Sequence, residues 1–127
     1  MTITEAQALQ LYHRLPAPSK LIFAVGLETG LRISDILKLR IRDVENPLRV
    51  WVGRRGDVIP CPISDWLLNE LLSSAGSKGE HFLFPSRRKW RRSLHRTTVW
   101  RDIKRAADGL DFTCSPHSAR KFFLASL

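Results

Sequence analysis

The chain has 127 residues, 43% of them hydrophobic, which is enough for one domain around one core and too little for two. No run is long and apolar enough to span a bilayer, and Met1-Thr2-Ile3-Thr4-Glu5 lacks the basic-then-apolar order of a secretory signal, which argues against membrane-spanning and exported classes. Twenty-one Lys and Arg against twelve Asp and Glu give a net charge of +9, so the natural partner is a polyanion, most often a nucleic acid, with an acidic protein as the alternative.

In chain order, Thr2 and Glu5 stand at capping-box spacing and open a first helix with Leu9, Tyr12 and Leu15 on one face. Pro16-Ala17-Pro18 stops it. Ser19 can cap a second helix, Lys20 to Thr29, whose Leu21, Ile22, Phe23, Val25 and Leu27 make it apolar nearly all round and predict the central buried helix. Gly30 can take the left-handed conformation that ends a helix, and Ser34 can cap a third, Ser34 to Leu39, with Asp35 in its first turn. Asn46-Pro47 is a turn signal. Leu48–Val52 and Val58–Ile63 read as two strands of a hairpin around Gly53-Arg54-Arg55-Gly56-Asp57, and Pro60 and Pro62 suit an edge strand. Ser64-Asp65 caps a helix through Trp66, Leu67, Leu68, Leu71 and Leu72 that ends by Gly76-Ser77-Lys78-Gly79. Phe82-Leu83-Phe84-Pro85 is a short extended anchor.

The run from Arg87 to Arg105 holds nine Lys or Arg and one acid, Asp102, with Trp90 and Trp100 interleaved. Thr97 or Thr98 can cap a helix through Trp100, Ile103 and Ala107, ended by Gly109. A solvated helix face with a loop is the plain alternative. The density of charge and the aromatics favour a surface that follows a nucleic-acid backbone, carried by Arg87, Arg88, Lys89, Arg91, Arg92, Arg96 and Arg101. Ser115-Pro116 opens a last helix with Pro116 in its first position, running into Phe122, Phe123 and Leu124. Cys61 and Cys114 form no CxxC pair and read as buried, reduced thiols of an intracellular protein, without a metal or redox role.

Two stretches carry the chemistry. Arg32 falls in the elbow after Gly30, flanked by Leu31 and Ile33, where a held guanidinium suits bidentate recognition of a carboxylate or phosphate. A surface pair with Asp35 or Asp43 is the alternative. His117 and Arg120 are three apart at a helix start, so they share a face next to the positive end of that helix. Alone, an HxxR pair is a weak signal, and a structural histidine is its default reading.

Taken together they are specific. The run Ala24-Val25-Gly26-Leu27-Glu28-Thr29-Gly30-Leu31-Arg32-Ile33-Ser34-Asp35-Ile36-Leu37-Lys38-Leu39, followed by Asp43-Val44, resembles the first arginine box of the tyrosine recombinase (phage integrase) family. Ser115-Pro116-His117-Ser118-Ala119-Arg120 resembles the start of its second box. The hairpin ending in Ile59-Pro60, then Leu83-Phe84-Pro85, then a basic helix follow in the family order. The resemblance implies a mostly α fold with a small antiparallel β-sheet, the front part of a catalytic domain over residues 1–127, in a cytoplasmic, nucleoid-associated protein. It also implies site-specific cutting and rejoining of double-stranded DNA, in assembly with other recombinase protomers and with no metal or other cofactor. By resemblance Arg32 and Arg120 clamp the scissile phosphate, His117 hydrogen-bonds it or assists proton transfer, and Asp35 supports the site from behind.

The resemblance has three gaps. The family nucleophile, a tyrosine well downstream of HxxR that joins the DNA 3′-phosphate, has no counterpart; the only tyrosine, Tyr12, precedes the first box and matches nothing. The family hairpin carries a lysine that protonates the leaving hydroxyl, whereas this turn offers Arg54 and Arg55, which steady a phosphate but are poor proton donors. The family's N-terminal DNA-binding domain is also missing. The expectation is therefore a chain that binds DNA backbone and does not cleave alone. A non-catalytic DNA-binding or regulatory remnant is the alternative, and a type IB topoisomerase relative a weaker one.

Overall fold

The computed structural model describes residues 2–52 and 56–127. Arg54 and Arg55, expected to support the site, lie outside the described residues. The elements run α1 (Glu5–Arg14), α2 (Ser19–Thr29), α3 (Ile33–Ile36), a 3-10 turn (Ile41–Asp43), β1 (Leu48–Val52), β2 (Asp57–Cys61), α4 (Asp65–Ser74), α5 (Arg96–Ala107) and α6 (Ser118–Ala125). The fold is mostly α with one antiparallel hairpin, paired from Leu48–Cys61 through Val50–Ile59 to Val52–Asp57.

Helix α2 is the hub, as its all-round apolar pattern predicts. Ile22, Phe23, Ala24, Val25 and Gly26 are buried, and α1, α3, α4, α5 and α6 all pack on it. Leu11 and Leu15 of the first helical segment, Leu67 and Leu71 of α4, and Val99 and Ile103 of α5 close the core around it. The hairpin buries Leu48 and Val50 from β1, while β2 is exposed almost throughout, which is where Pro60 is tolerated.

Several helix ends differ from the sequence expectation. The capping box of α1 is Thr4 with Gln7, not Thr2 with Glu5: Gln7 N donates to Thr4 Oγ1 at 3.1 Å and Thr4 N to Gln7 Oε1 at 2.8 Å. The buried face accordingly shifts to Ala8, Leu11 and Leu15, and Leu9 is exposed. Ser19 does not cap α2. It is buried in the first turn and donates to Asp102 Oδ2 at 2.6 Å, tying α2 to α5. Ser34 caps nothing; the N-cap of α3 is Arg32, and the helix is one short turn. The cap of α5 is His95, whose ring nitrogen accepts from Thr97 N, instead of Thr97 or Thr98. Pro116 precedes α6, whose N-cap is His117. Cys61 and Cys114 are half-buried rather than buried, and free. Burial pushes both thiols above their ordinary pKa, which suits inert rather than reactive cysteines.

The expected cap at Ser64 is present. Its Oγ accepts from Leu67 N at 3.1 Å, and the Glu28 carboxylate receives both Ser64 N (2.6 Å) and Ser64 Oγ (2.8 Å), locking the end of α2 to the start of α4.

The closest helix contact is between α2 and α6. A Cβ on Gly26 would stand 2.9 Å from Ala119 Cβ, and one on Gly30 would stand 2.2 Å from Phe123 Cδ1. Gly30 also has φ +72, which an L side chain adopts only with strain. Gly30→Ala should therefore lose about 2–4 kcal/mol in urea unfolding, from left-handed strain plus overpacking. In a Phe123→Ala background the further loss should shrink to about 1–2 kcal/mol, the backbone share alone. Equal losses in both backgrounds would mean that Phe123 does not press on this turn.

Candidate functional site

The α2–α6 contact brings the two expected boxes together. The chain leaves α2 at Gly30, and Arg32 follows in extended backbone (φ −72, ψ 149) as the N-cap of α3. On the facing helix, Ser118 and Ala119 are buried, so that His117 and Arg120 turn toward Arg32. Arg32, His117 and Arg120 line one cleft of about 470 Å³ with Ile33, Ser34, Arg96, Trp100, Lys121 and Leu124. They also roof a narrower apolar recess beneath it, over Ile22, Gly26, Ile36, Val99 and Ile103.

The cleft is lined by basic groups and by no Asp or Glu. The acids that could neutralise Arg32 are engaged elsewhere. Asp35 faces Lys38 at 3.9 Å. Asp43 is buried and accepts from Arg40 N at 2.9 Å and Trp51 Nε1 at 3.4 Å. Among the described residues the ion pairs are Lys38–Asp35 and Arg49–Glu45, so neither Arg32 nor Arg120 is bound to a carboxylate. Arg32 is exposed, where its position in the elbow predicted a held side chain. Its backbone is set, and its guanidinium is open to an incoming anion.

Of the basic run, Arg96 reaches this cleft. Arg101 is exposed on α5 outside its lining, and Arg87, Arg88, Lys89, Arg91 and Arg92 belong to a separate loop. Sequence reasoning missed Lys121, whose signal was its place directly after Arg120. It also read Trp100 only as an interleaved aromatic. Its ring meets the His117 imidazole edge-on, 6.0 Å between centroids at 75°, and limits where that imidazole can swing. Among the described residues, no group of three or more His, Cys, Asp or Glu is placed to hold a metal ion, and no helix is long and apolar enough to cross a membrane.

Tyr12 lies outside the cleft. It lines an apolar groove with Leu9, Leu27, Trp66 and Phe122, edge-on to Trp66 at 5.7 Å. Burial, reinforced by the Glu70 carboxylate, holds its phenol above the ordinary value of 10.0. A nucleophilic phenol would need the opposite shift.

This arrangement has the fold of part of an integrase catalytic domain. The match extends to the sequence: residues 1–127 match the Phage integrase family, and the chain belongs to it. Tyrosine recombinase XerA of Pyrococcus furiosus is 29% identical over 131 residues, covering 96% of this chain and 46% of the relative. A crystal structure of XerA recombinase has the same fold, with a TM-score of 0.80 and 22% identity over 99% of this chain and 49% of that one. A lambda integrase tetramer bound to a Holliday junction matches with a TM-score of 0.73 and 25% identity, over 98% of this chain and 41% of that one. The chain thus spans less than half the length of the curated relative.

The raised Tyr12 value has a measurable sign. Folding favours the neutral phenol, so its contribution to stability is present below the unfolded-state pKa and is lost as pH rises through the higher folded value. Absorbance titration of the phenolate should show a midpoint above 10.0, moving down in Glu70→Gln. A midpoint at or below 10.0 would show that the groove does not disfavour the charged phenol.

Proposed function

We propose that this chain forms the phosphate-holding part of a site-specific DNA recombinase, acting in strand breakage and rejoining. The observation that carries the reading is the cleft itself: Arg32 from one end of the chain and His117 and Arg120 from the other meet where no carboxylate lines the wall. Two guanidiniums converging on an acid-free site suit the non-bridging oxygens of a phosphodiester, and their hydrogen bonds strengthen as charge builds in the pentacoordinate transition state. His117, at the N-terminus of α6, adds a third donor or a proton relay. Lys121 brings an ammonium to the same wall; unlike a guanidinium, an ammonium can give up a proton to a leaving oxygen. Asp35, paired with Lys38, supports the turn behind Arg32. Kinship with XerA, and an integrase of the same fold bound to a Holliday junction, support double-stranded DNA as the ligand and other protomers as partners.

Within these 127 residues the reaction lacks its nucleophile, because the one phenol, Tyr12, does not line the cleft. The chain as given binds DNA and does not cut it; a tyrosine from outside these residues completes the site. A cleft lined by guanidiniums, an imidazole and an ammonium supports phosphate contact with strong salt dependence over base readout.

Fluorescence anisotropy with a labelled duplex tests the clamp. Arg32→Ala and Arg120→Ala should each weaken binding several-fold and flatten the slope of log K against log salt by about 0.9. No SDS-resistant protein–DNA adduct should form with the wild-type chain. Undiminished binding in the double variant would overturn the clamp. Any such adduct would overturn the missing nucleophile, and its loss in Tyr12→Phe would identify Tyr12 as the attacking group.

A further inference from the structure

Outside the cleft the densest charge is the loop between Phe84 and α5. Residues 87–92 place Arg87, Arg88, Lys89, Arg91 and Arg92 around Trp90, all exposed, and no Asp or Glu occurs between Glu80 and Asp102. The loop is closed on itself. Ser86 N donates to Arg92 O at 2.7 Å, Arg92 N to Lys89 O at 2.9 Å, and Leu94 N to Phe84 O at 2.7 Å. Ser86 Oγ accepts from Arg88 N and Lys89 N at 3.3 and 3.4 Å. Trp90 is braced from below by the His81 ring, 4.4 Å between centroids, and the Arg91 guanidinium lies 4.9 Å from its ring centre. Backbone bonds and a tryptophan braced against His81 thus hold like charges side by side. No carboxylate among the described residues makes an ion pair with them. The mutual repulsion of such an array falls when an external polyanion lies across it.

Its position specifies which polyanion. Arg92 is four residues before Arg96, which lines the cleft, so their Cα atoms are at most about 14 Å apart. Duplex DNA presents a phosphate about every 3.4 Å of axis on each strand, so this reach spans about four nucleotides. A duplex whose phosphate sits between Arg32 and Arg120 has further phosphates within range of the loop. We propose that the Trp90-centred loop is a second backbone contact on that same double-stranded DNA, gripping the flank of the clamped phosphate without reading bases. This rests on DNA occupying the cleft, as proposed above.

The test compares three variants of the whole chain on one labelled duplex across a salt series. Arg88→Ala/Lys89→Ala/Arg91→Ala should weaken binding at least tenfold at low salt and flatten the slope by about 0.9 for each phosphate no longer neutralised. The charge-conserving Arg88→Lys/Arg91→Lys pair should keep the wild-type slope, which separates removal of charge from a disturbed loop. Wild-type affinity and slope in the alanine variant, with weakened binding in Arg32→Ala/Arg120→Ala, would overturn the loop contact and leave the cleft reading intact. The reverse pattern would overturn the cleft reading, and the shared duplex with it. A defect confined to binding of an RNA hairpin or an acidic polypeptide would also overturn the proposal by giving the surface to another partner.

Discussion

The contact on which the site depends is the near touch of α2 and α6. Two glycines a helical turn apart on α2, Gly26 and Gly30, face Ala119 and Phe123, likewise one turn apart on α6, and at both points there is no room for another carbon. Small residues at i and i+4 let the two helices approach closely, so that the elbow after α2 and the first turn of α6 share a wall. Arg32 is two residues beyond Gly30, and Arg120 is one beyond Ala119. Gly30 therefore serves twice: its left-handed backbone turns the chain out of α2, and its missing side chain leaves space for the Phe123 ring. A residue with a side chain at either glycine would move one arginine relative to the other before it touched any substrate.

That packing would be of little use if acids closed over the arginines. The surrounding carboxylates are instead committed to the scaffold. Glu28 holds the cap of α4 through Ser64, Asp102 receives the buried Ser19 hydroxyl, Asp43 ties the 3-10 turn to Trp51, and Asp35 faces Lys38. Glu28 and Asp35 stand four and three residues from Arg32, yet Glu28 is bonded to Ser64 and Asp35 faces Lys38. The fold thus separates two uses of charge: acids satisfy donors within and between elements, and cations are left toward the cleft and the loop.

How much of this was legible before the structure depends on the range of the interaction. Elements defined by their own periodicity and punctuation were readable: the central α2, the hairpin with Pro60 on its exposed strand, the Ser64 cap, and the glycine that ends α2. The order of the Arg32 run and the HxxR pair along the chain was readable too, and the fold brings Arg32, His117 and Arg120 to one cleft. Choices among neighbouring equivalents were not readable. Thr2 and Thr4 are both possible caps, and the register of Ala8, Leu11 and Leu15 against the core decides for Thr4. Ser19 looked like a cap because hydroxyls commonly are, but its partner Asp102 is far along the chain. Trp100 joined the cleft only once α5 was placed against His117 at the start of α6, a placement that no local pattern encodes.

The same separation of roles bears on Tyr12. A phenol becomes a nucleophile when its surroundings favour the phenolate, which calls for nearby cations and access to water. Tyr12 has one cation near its ring, Lys20 at 5.2 Å, but it is packed on Trp66, shares an apolar groove with Leu27 and Phe122, and feels the Glu70 carboxylate. Its environment favours the neutral form, and it is on the side of α2 that meets α1 and α4 rather than the side that leads to Arg32. The chain thus places Arg32, His117 and Arg120 in one cleft and Tyr12 in another groove. Catalysis of phosphoryl transfer rests on positioned positive charge as much as on the attacking group. On the proposed function the cleft supplies the first, and its geometry is set by the α2–α6 contact whichever residue attacks.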